Sequence, residues 1–548
     1  LADRKLKEIE RLRGVAVLAT VLKHWDFVHA SLPGVLRYSW SGVDLFFVIS
    51  GFVVTTSLLK LLPDLGGTAS FVDAFRDSRD ALRTFYTRRL FRILPAALAV
   101  ALLHRILCDA YPVQFGSPVQ WFEELVAFLG GIYNYVVPTS NHHELGVYWS
   151  LSIEEHFYLF LPLLFVAMRT SNRRLGACVT IILLVALVIR PMGHPEGKVE
   201  DVGLYERFSS QFRFDSLMAG TAMALLWPKE TKAPTLPPRF VQLGLVPAAL
   251  ILLVCLPGAA SVYVMHRVGL IALWMLSGLV VAYAALDRGY VLGLPGIGRV
   301  FEYVGTRSYA LYLVHFDAHL FEEAIASHFP KYTAFVTSSY RGAWTRFAVL
   351  LVATLVVCEI LHRLVEKPFI GAGRAVLDRG PSAIPRWTKV LVPTLGVVFL
   401  VFPFRHVLVR VFAPTNLAYK RPVAMSSTEP GSPVSDVLVN GLLEDEGGAR
   451  TQRQDDPWLE IDLGSTKTIR TFVAYNRADG SFASQVPLTI TTSTDKTTYR
   501  TVDTRDEIFS QGWPWIHRVE EGIQARYVRY SVHGNAGLCL SEVELYER

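Results

Sequence analysis

The sequence predicts a polytopic α-helical membrane region followed by a soluble, strand-rich domain. Three observations predict it. Long apolar runs recur between residues 12 and 412 and then stop. Charged residues make up 19% of the 548, against about 25% in an ordinary soluble protein. Residues 413–548 instead alternate apolar and polar positions between Gly, Asn and Asp turns, the pattern of β-strands.

A spanning helix needs roughly 20 mostly apolar residues. Twelve segments qualify, at about 12–30, 40–62, 89–107, 121–138, 148–168, 174–190, 208–228, 240–257, 268–287, 300–326, 345–366 and 388–412. Lys and Arg orient them, because they gather on cytoplasmic loops. The basic N-terminus (Arg4, Lys5, Lys7, Arg11, Arg13) and residues 60–92 are expected inside, two spans apart. "RTSNRR" after 148–168 also belongs inside, so either 121–138 or 148–168 fails to cross. The weaker is 121–138, with Glu123, Glu124, Gly130, Gly131 and Asn134. It is expected to be re-entrant or partly inserted, packed against protein. About eleven spans result, with residues 413–548 outside the cytoplasm.

The net charge of +6 follows from basic inner loops and requires no nucleic acid. Cys108, Cys178, Cys255, Cys358 and Cys539 form no zinc spacing, and the tail holds only Cys539, too few for its own disulfide. No cleavable signal is expected, since the first apolar run follows basic residues and leads into further spans. The sequence opens on Leu1 rather than Met, so the start is expected to lie upstream.

Ionisable residues inside membrane segments are functional candidates, because burying them is costly. Arg13 and His24 lie eleven residues apart on the first span, roughly 16 Å at about 1.5 Å per residue. Arg13 is placed near the cytoplasmic face and His24 past the midplane. Asp44 enters the second span from outside, within "SGVDLFFVISG", and His24 is its expected partner; a helix-start carboxylate favoured by the macrodipole is the other explanation. "RRLFRILPA" opens the third span with Arg88, Arg89 and Arg92, where Arg88 and Arg92 share a helix face. Arginine forks suit phosphate groups. "VYWSLSIEEHFYLFLP" holds Glu154 and Glu155, with Tyr158 and Ser150 one turn from Glu154. Arginines inside and a histidine with carboxylates outside describe a site where a long anionic donor meets an acid/base histidine.

These stretches in this order resemble the membrane acyltransferase-3 family. The matching motifs are Arg13 with His24, "GVDLFFVISGF", "RRLFRILPA", "YWSLSIEEHFYLFLP", "SYALYLVHF" and "LVEKP", across residues 8 to 370. The resemblance implies about ten core helices and transfer of acyl groups, usually acetyl from acetyl-CoA, to carbohydrates outside the membrane. It implies that His24 is catalytic, Arg13 its companion, and Arg88, Arg89 and Arg92 the contacts to acyl-CoA. Trp149, Ser150, Tyr158 and His315 are expected near the substrate, and Glu366 matches a further motif position. No "GDS"-type nucleophile follows the helix 388–412, unlike family members that end in a hydrolase-like domain.

Residues 416–548 resemble the discoidin, or coagulation-factor type C, β-sandwich, through "WLEIDLG" and the closing "SEVELYE". That resemblance implies glycan binding through end loops, with Trp513 and Trp515 in "QGWPWIH" as a stacking platform and Trp458 in the core. It also implies a structural calcium near Asn440, Gly441 and Glu542, although Asn440–Gly441 stands where the family has Asp-Gly.

The domains expected are therefore 1–370 (acyltransferase), 371–412 (cytoplasmic linker and an added span) and 413–548 (discoidin-like). The expected protein sits in a bacterial plasma membrane, N-terminus cytoplasmic and tail outside, and moves an acyl group from cytosolic acyl-CoA to an envelope glycan. His24 acts as general base or transient acyl carrier, oriented by Asp44, Glu154 or Glu155. Two rivals stand beside this: an acyltransferase for a small or lipid-linked sugar with an adhesive tail, and a transporter. A transporter commonly carries inverted repeats, and no second copy of "FFVISG" occurs.

Overall fold

The computed structural model describes residues 6–25, 39–64, 70–110, 115, 118–136, 145–192, 207–227, 237–259, 265–294, 296–327, 329, 332, 335–336, 340–380, 416–432, 435–440, 448–476, 485–506, 509 and 514–547. They fall into two compact units, residues 1–104 with 123–392 and residues 105–122 with 393–548.

The first unit is helical. Among the described residues, six helices are long and apolar enough to cross a membrane: Ser39–Leu61, Arg79–Cys108, Tyr148–Met168, Ser171–Ile189, Pro238–Pro257 and Arg341–Arg379. Phe214–Leu226 and Leu270–Ala285 are shorter apolar helices. The expected span 388–412 lies outside the described residues.

Several expected boundaries move. The first helix runs Lys7–His24, not 12–30; its Lys-, Glu- and Arg-rich start is helix-forming in its own right. It ends with His24 itself, since Trp25 has left helical geometry. The third helix begins at Arg79, so Arg88, Arg89 and Arg92 sit inside it rather than at its start. Segment 300–326 is two helices, Ile297–Thr306 and Ser308–Ser327, broken at Arg307. Segment 121–138 is likewise broken, into Pro118–Leu129 and Tyr133–Val136. Gly131 turns the chain there with φ 72°, a conformation that suits glycine. Buried Glu124 accepts from Tyr133 Oη at 3.0 Å and Leu145 N at 2.6 Å, which satisfies a carboxylate that the sequence left unexplained.

Two contacts hold the bundle in register. Helices Gly42–Leu61 and Phe214–Leu226 cross through Gly51 and Gly220; a Cβ on Gly51 would strike Leu217 O, and one on Gly220 would strike Val48 O. Membrane helices pack closely through such small residues. The buried Arg174 donates to Leu62 O at 3.0 Å and Phe165 O at 3.1 Å. It thereby caps Leu62 O at one helix end and adds a donor to Phe165 O, which already accepts from Arg169 N at 3.1 Å.

The second unit holds the strand-rich tail. Nine strands are described: β1 Val423–Met425, β2 Ala449–Arg450, β3 Gln454–Asp455, β4 Trp458–Asn476, β5 Leu488–Ser493, β6 Arg500–Arg505, β7 Trp515–Val532, β8 Asn535–Ala536 and β9 Cys539–Tyr546. The main antiparallel sheet has the order β2-β9-β4-β7-β5-β6, with β1 on β4, and β3 pairs β8. The first part of β4 pairs β1 and its last part pairs β9, while β7 follows it with register shifts after Asp462 and Ile469. Such irregularities bend a strand, and the bent sheet encloses Leu459, Ile461, Phe472, Val528, Tyr530, Leu540 and Leu545.

The glycine crossing predicts that Gly220→Leu lowers the thermal stability of the detergent-solubilised protein by at least the 1–3 kcal/mol or so typical of overpacking. Gly176→Leu, at an exposed position where an added Cβ meets nothing within 4 Å, is expected not to lower it.

Candidate active site

A cavity of about 100 Å³ opens inside the helical unit. Arg13, Arg89 and Arg92 line it together with Ser50, Ser150, Glu154, Tyr158, Tyr309 and Tyr312, and Phe46, Phe47 and Ile93 supply apolar wall. Three arginines and one carboxylate line it, and Arg13 also pairs with Glu10 at 3.4 Å, so the wall keeps a net positive charge that suits an anion. Arg89 lies 5.3 Å over the Tyr158 ring, which holds its guanidinium plane by a cation–π contact. Tyr158 Oη donates to Glu154 Oε2 at 2.7 Å and lies 3.2 Å from Ser50 Oγ.

The helix beginning "SYALYLVH" links this cavity to His24. Ser308, Tyr312 and His315 recur at helical spacing on one face. Ser308 and Tyr312 line the cavity, and the Tyr312 ring lies 5.6 Å from that of His315. Tyr312 Oη is 2.7 Å from Ser150 Oγ and donates to Val147 O at 3.1 Å. His315, fully buried, lies with Nε2 3.1 Å from His24 Nδ1, and its ring is 5.0 Å from the His24 ring. His24 Nδ1 is also 2.9 Å from Thr20 O. Arg13 and His24 therefore flank one continuous path: arginine cavity, Tyr312, His315, His24.

The structure corrects several expected placements. Asp44 is fully buried and its Oδ1 accepts from Arg213 at 2.7 Å, while its Oδ2 has no hydrogen-bond partner among the described residues. Its counter-charge is thus an arginine, not His24. Glu154 lies among the cavity arginines rather than beside His24. Glu155, half-buried, is not part of the cavity wall. Arg88 is exposed; the arginine pair facing the cavity is Arg89 and Arg92, three residues apart. Trp149 packs between Phe47 and Phe208, at ring distances of 6.3 and 4.8 Å, behind the wall. Glu366 accepts from His362 at 2.9 Å.

Other pairs were not foreseen. Arg190 Nη2 donates to Asp215 Oδ2 at 2.7 Å, both buried. His104 Nδ1 lies 2.7 Å from Asp317 Oδ1, also buried. "RFD" at 213–215 carried a signal of the same kind as Asp44, charges at the mouth of an apolar run.

In the tail, Trp515 is 4% exposed and packs in the core 6.3 Å from Phe509, because the strand β7 already begins there with this side chain inward. Trp513 lies outside the described residues. Trp458, expected in the core, is only partly buried and carries the Arg529 guanidinium 4.3 Å above its ring. Arg529 also lies 4.1 Å over Tyr499 and pairs with buried Glu460 at 2.9 Å. Burial and the Glu460 hydrogen bond push the Tyr499 phenol up to about 12. Glu542 is buried and Asn440 partly so, while Gly441 lies outside the described residues. Among the described residues no group of three His, Cys, Asp or Glu gathers to hold a metal ion.

Residues 6–363 match the acyltransferase domain of the acyltransferase-3 family, and residues 447–530 match a NedA-like, galactose-binding domain. A Staphylococcus aureus (strain COL) protein named "Putative O-acetyltransferase" is 26% identical over 436 residues, 75% of this chain and 64% of the relative. The peptidoglycan O-acetyltransferase OatA of Listeria monocytogenes (serovar 1/2a, strain EGD-e) is 24% identical over 381 residues, 66% of this chain and 55% of the relative. The chain thus spans just under two thirds of the length of the first of these and little over half of the second. The tail is similar to the lectin domain of lectinolysin complexed with Lewis b antigen, with 24% identity, a TM-score of 0.22, and coverage of 24% of this chain and 97% of that one.

Breaking one side of the Asp44–Arg213 pair should be far worse than removing both. Arg213→Leu strands a buried carboxylate and is expected to cost about 3–5 kcal/mol. Asp44→Leu with Arg213→Leu should recover most of that, measured as thermal stability in detergent.

Proposed function

This chain belongs to the acyltransferase-3 family, and from that premise we propose that it is an integral membrane O-acyltransferase of a bacterial plasma membrane. It transfers an acetyl group from cytosolic acetyl-CoA to a hydroxyl of an extracytoplasmic envelope glycan. The observation that carries this reading is the joined arrangement of an arginine cavity and His24 through Tyr312 and His315.

Acetyl-CoA bears phosphates at one end and a thioester at the other. Arg13, Arg89 and Arg92 hold the phosphates; charge-assisted hydrogen bonds of this kind are stronger than neutral ones. The thioester then reaches toward His24. His24 removes the proton of the acceptor hydroxyl as its oxygen attacks the thioester carbonyl carbon. The carbon–sulfur bond breaks, and the proton passes to the departing CoA thiolate. The products are an acetyl ester and free CoA, with His24 neutral again. Glu154, bonded to Tyr158, balances part of the arginine charge while the cavity is empty of donor.

The tail, outside the cytoplasm in this topology, binds the glycan and raises its effective concentration at the membrane. The match to a galactose-binding domain supports that role. The peptidoglycan activity in the name of the Listeria relative supports a glycan acceptor.

Membranes carrying wild type, His24→Ala or a chain truncated after residue 412 are incubated with labelled acetyl-CoA, and the glycan is analysed. His24→Ala should lower transfer by on the order of 10²–10⁴-fold; unchanged transfer would sink the mechanism. Truncation should reduce labelling of polymer but spare a small sugar acceptor. Equal labelling of polymer with and without the tail would leave tethering without support.

A further inference from the structure

Two peptide carbonyls fix where the protons of the His24–His315 pair reside. His315 Nδ1 lies 2.6 Å from Tyr312 O. A carbonyl oxygen only accepts, so His315 carries its proton on Nδ1. In the neutral ring, Nε2 then bears the lone pair, and it points at His24 Nδ1 across 3.1 Å. His24 Nδ1 also faces Thr20 O at 2.9 Å. With an acceptor on each side, that nitrogen must carry the proton, shared between the two. The basic nitrogen of His24 is therefore Nε2.

The alternatives fail on the same contacts. A proton on His24 Nε2 alone would set the Nδ1 lone pair against both Thr20 O and His315 Nε2. A charged His315 could donate to His24 Nδ1, but that would leave a lone pair facing Thr20 O and place a cation on a ring 0% exposed, which is costly without a paired anion.

We propose that His315 is the positioning residue of the reaction: it holds His24 in the Nδ1–H tautomer, the task a carboxylate performs in a Ser-His-Asp triad. This deepens the preceding reading and rests on His24 being the base. The acceptor's proton goes to His24 Nε2, and the imidazolium that forms already has acceptors on its other N–H, from Thr20 O and His315 Nε2. His315 stays neutral throughout and carries no proton between sites. A neutral partner leaves Asp44 and Glu154 to their own contacts with Arg213 and Tyr158.

The test compares His315→Asn with His315→Gln. Asparagine places an N–H near the former Nδ1, toward Tyr312 O, but stops short of His24. Glutamine places an oxygen near the former Nε2, able to accept from His24. His315→Asn should lower kcat by on the order of 10²-fold with KM for acetyl-CoA unchanged, and His315→Gln should restore most of it. Wild-type kcat in His315→Asn, equal damage in both variants, or a loss confined to KM would overturn the assignment. If His24→Ala retains transfer, the base reading itself fails; if only His24→Ala is inactive and His315→Asn is not, the failure belongs to His315 alone. Should either His315 variant misfold, nitrogen-15 NMR of histidine-labelled wild type decides, with the His24 signals identified by their loss in His24→Gln. A protonated Nδ1 and bare Nε2 on His24 are expected, and the reverse would overturn the proposal.

Discussion

A charge inside an apolar helix bundle needs a partner, and this constraint organises the membrane unit. Moving a carboxylate or guanidinium away from water costs several kcal/mol even after the protein relaxes around it. Asp44 meets the requirement with Arg213, and Arg190 meets it with Asp215. The first pair joins segments 169 residues apart in sequence and the second segments 25 apart. Arg13, which pairs with Glu10 at 3.4 Å, converges with Arg89 and Arg92 on a cavity with one carboxylate, Glu154, in its wall. An excess of positive charge left around open space is an arrangement suited to a polyanion that comes and goes.

The histidine pair follows another route to the same end. A charged partner for His24 would need its own compensation at that depth. A neutral imidazole oriented by Tyr312 O, and a second carbonyl from Thr20, stabilise the same tautomer without adding a charge. The helix Ser308–Ser327 serves both ends of the site, because its face carries Ser308 and Tyr312 to the cavity and His315 to His24.

Much of this was legible in the sequence. Apolar runs marked most helices, and the rarity of intramembrane charge singled out Arg13, His24, Arg89, Arg92 and Glu154. The strand alternation of the tail and its two end motifs gave its fold type. Partners were less legible, because they depend on tertiary contact: Asp44 and Arg213 are 169 residues apart, and His24 and His315 are 291 apart. Proximity along an assumed membrane depth suggested Asp44 for His24, whereas rotation about the helix axis turned that carboxylate toward Arg213. Trp515 was misjudged because a Trp-Pro-Trp run looks like an exposed loop, yet the second tryptophan already belongs to β7 and points inward.

If the cavity of Arg13, Arg89 and Arg92 receives the CoA end of the donor, as proposed, CoA binding depends on those arginines. Equilibrium binding of labelled desulfo-CoA, which cannot donate an acetyl group, to purified wild type and to the Arg89→Gln/Arg92→Gln double variant tests it most directly. Each hydrogen bond to a charged group contributes about 1.5–3 kcal/mol, so binding should be weaker by at least roughly tenfold in the variant. Equal affinity in the two proteins would contradict it.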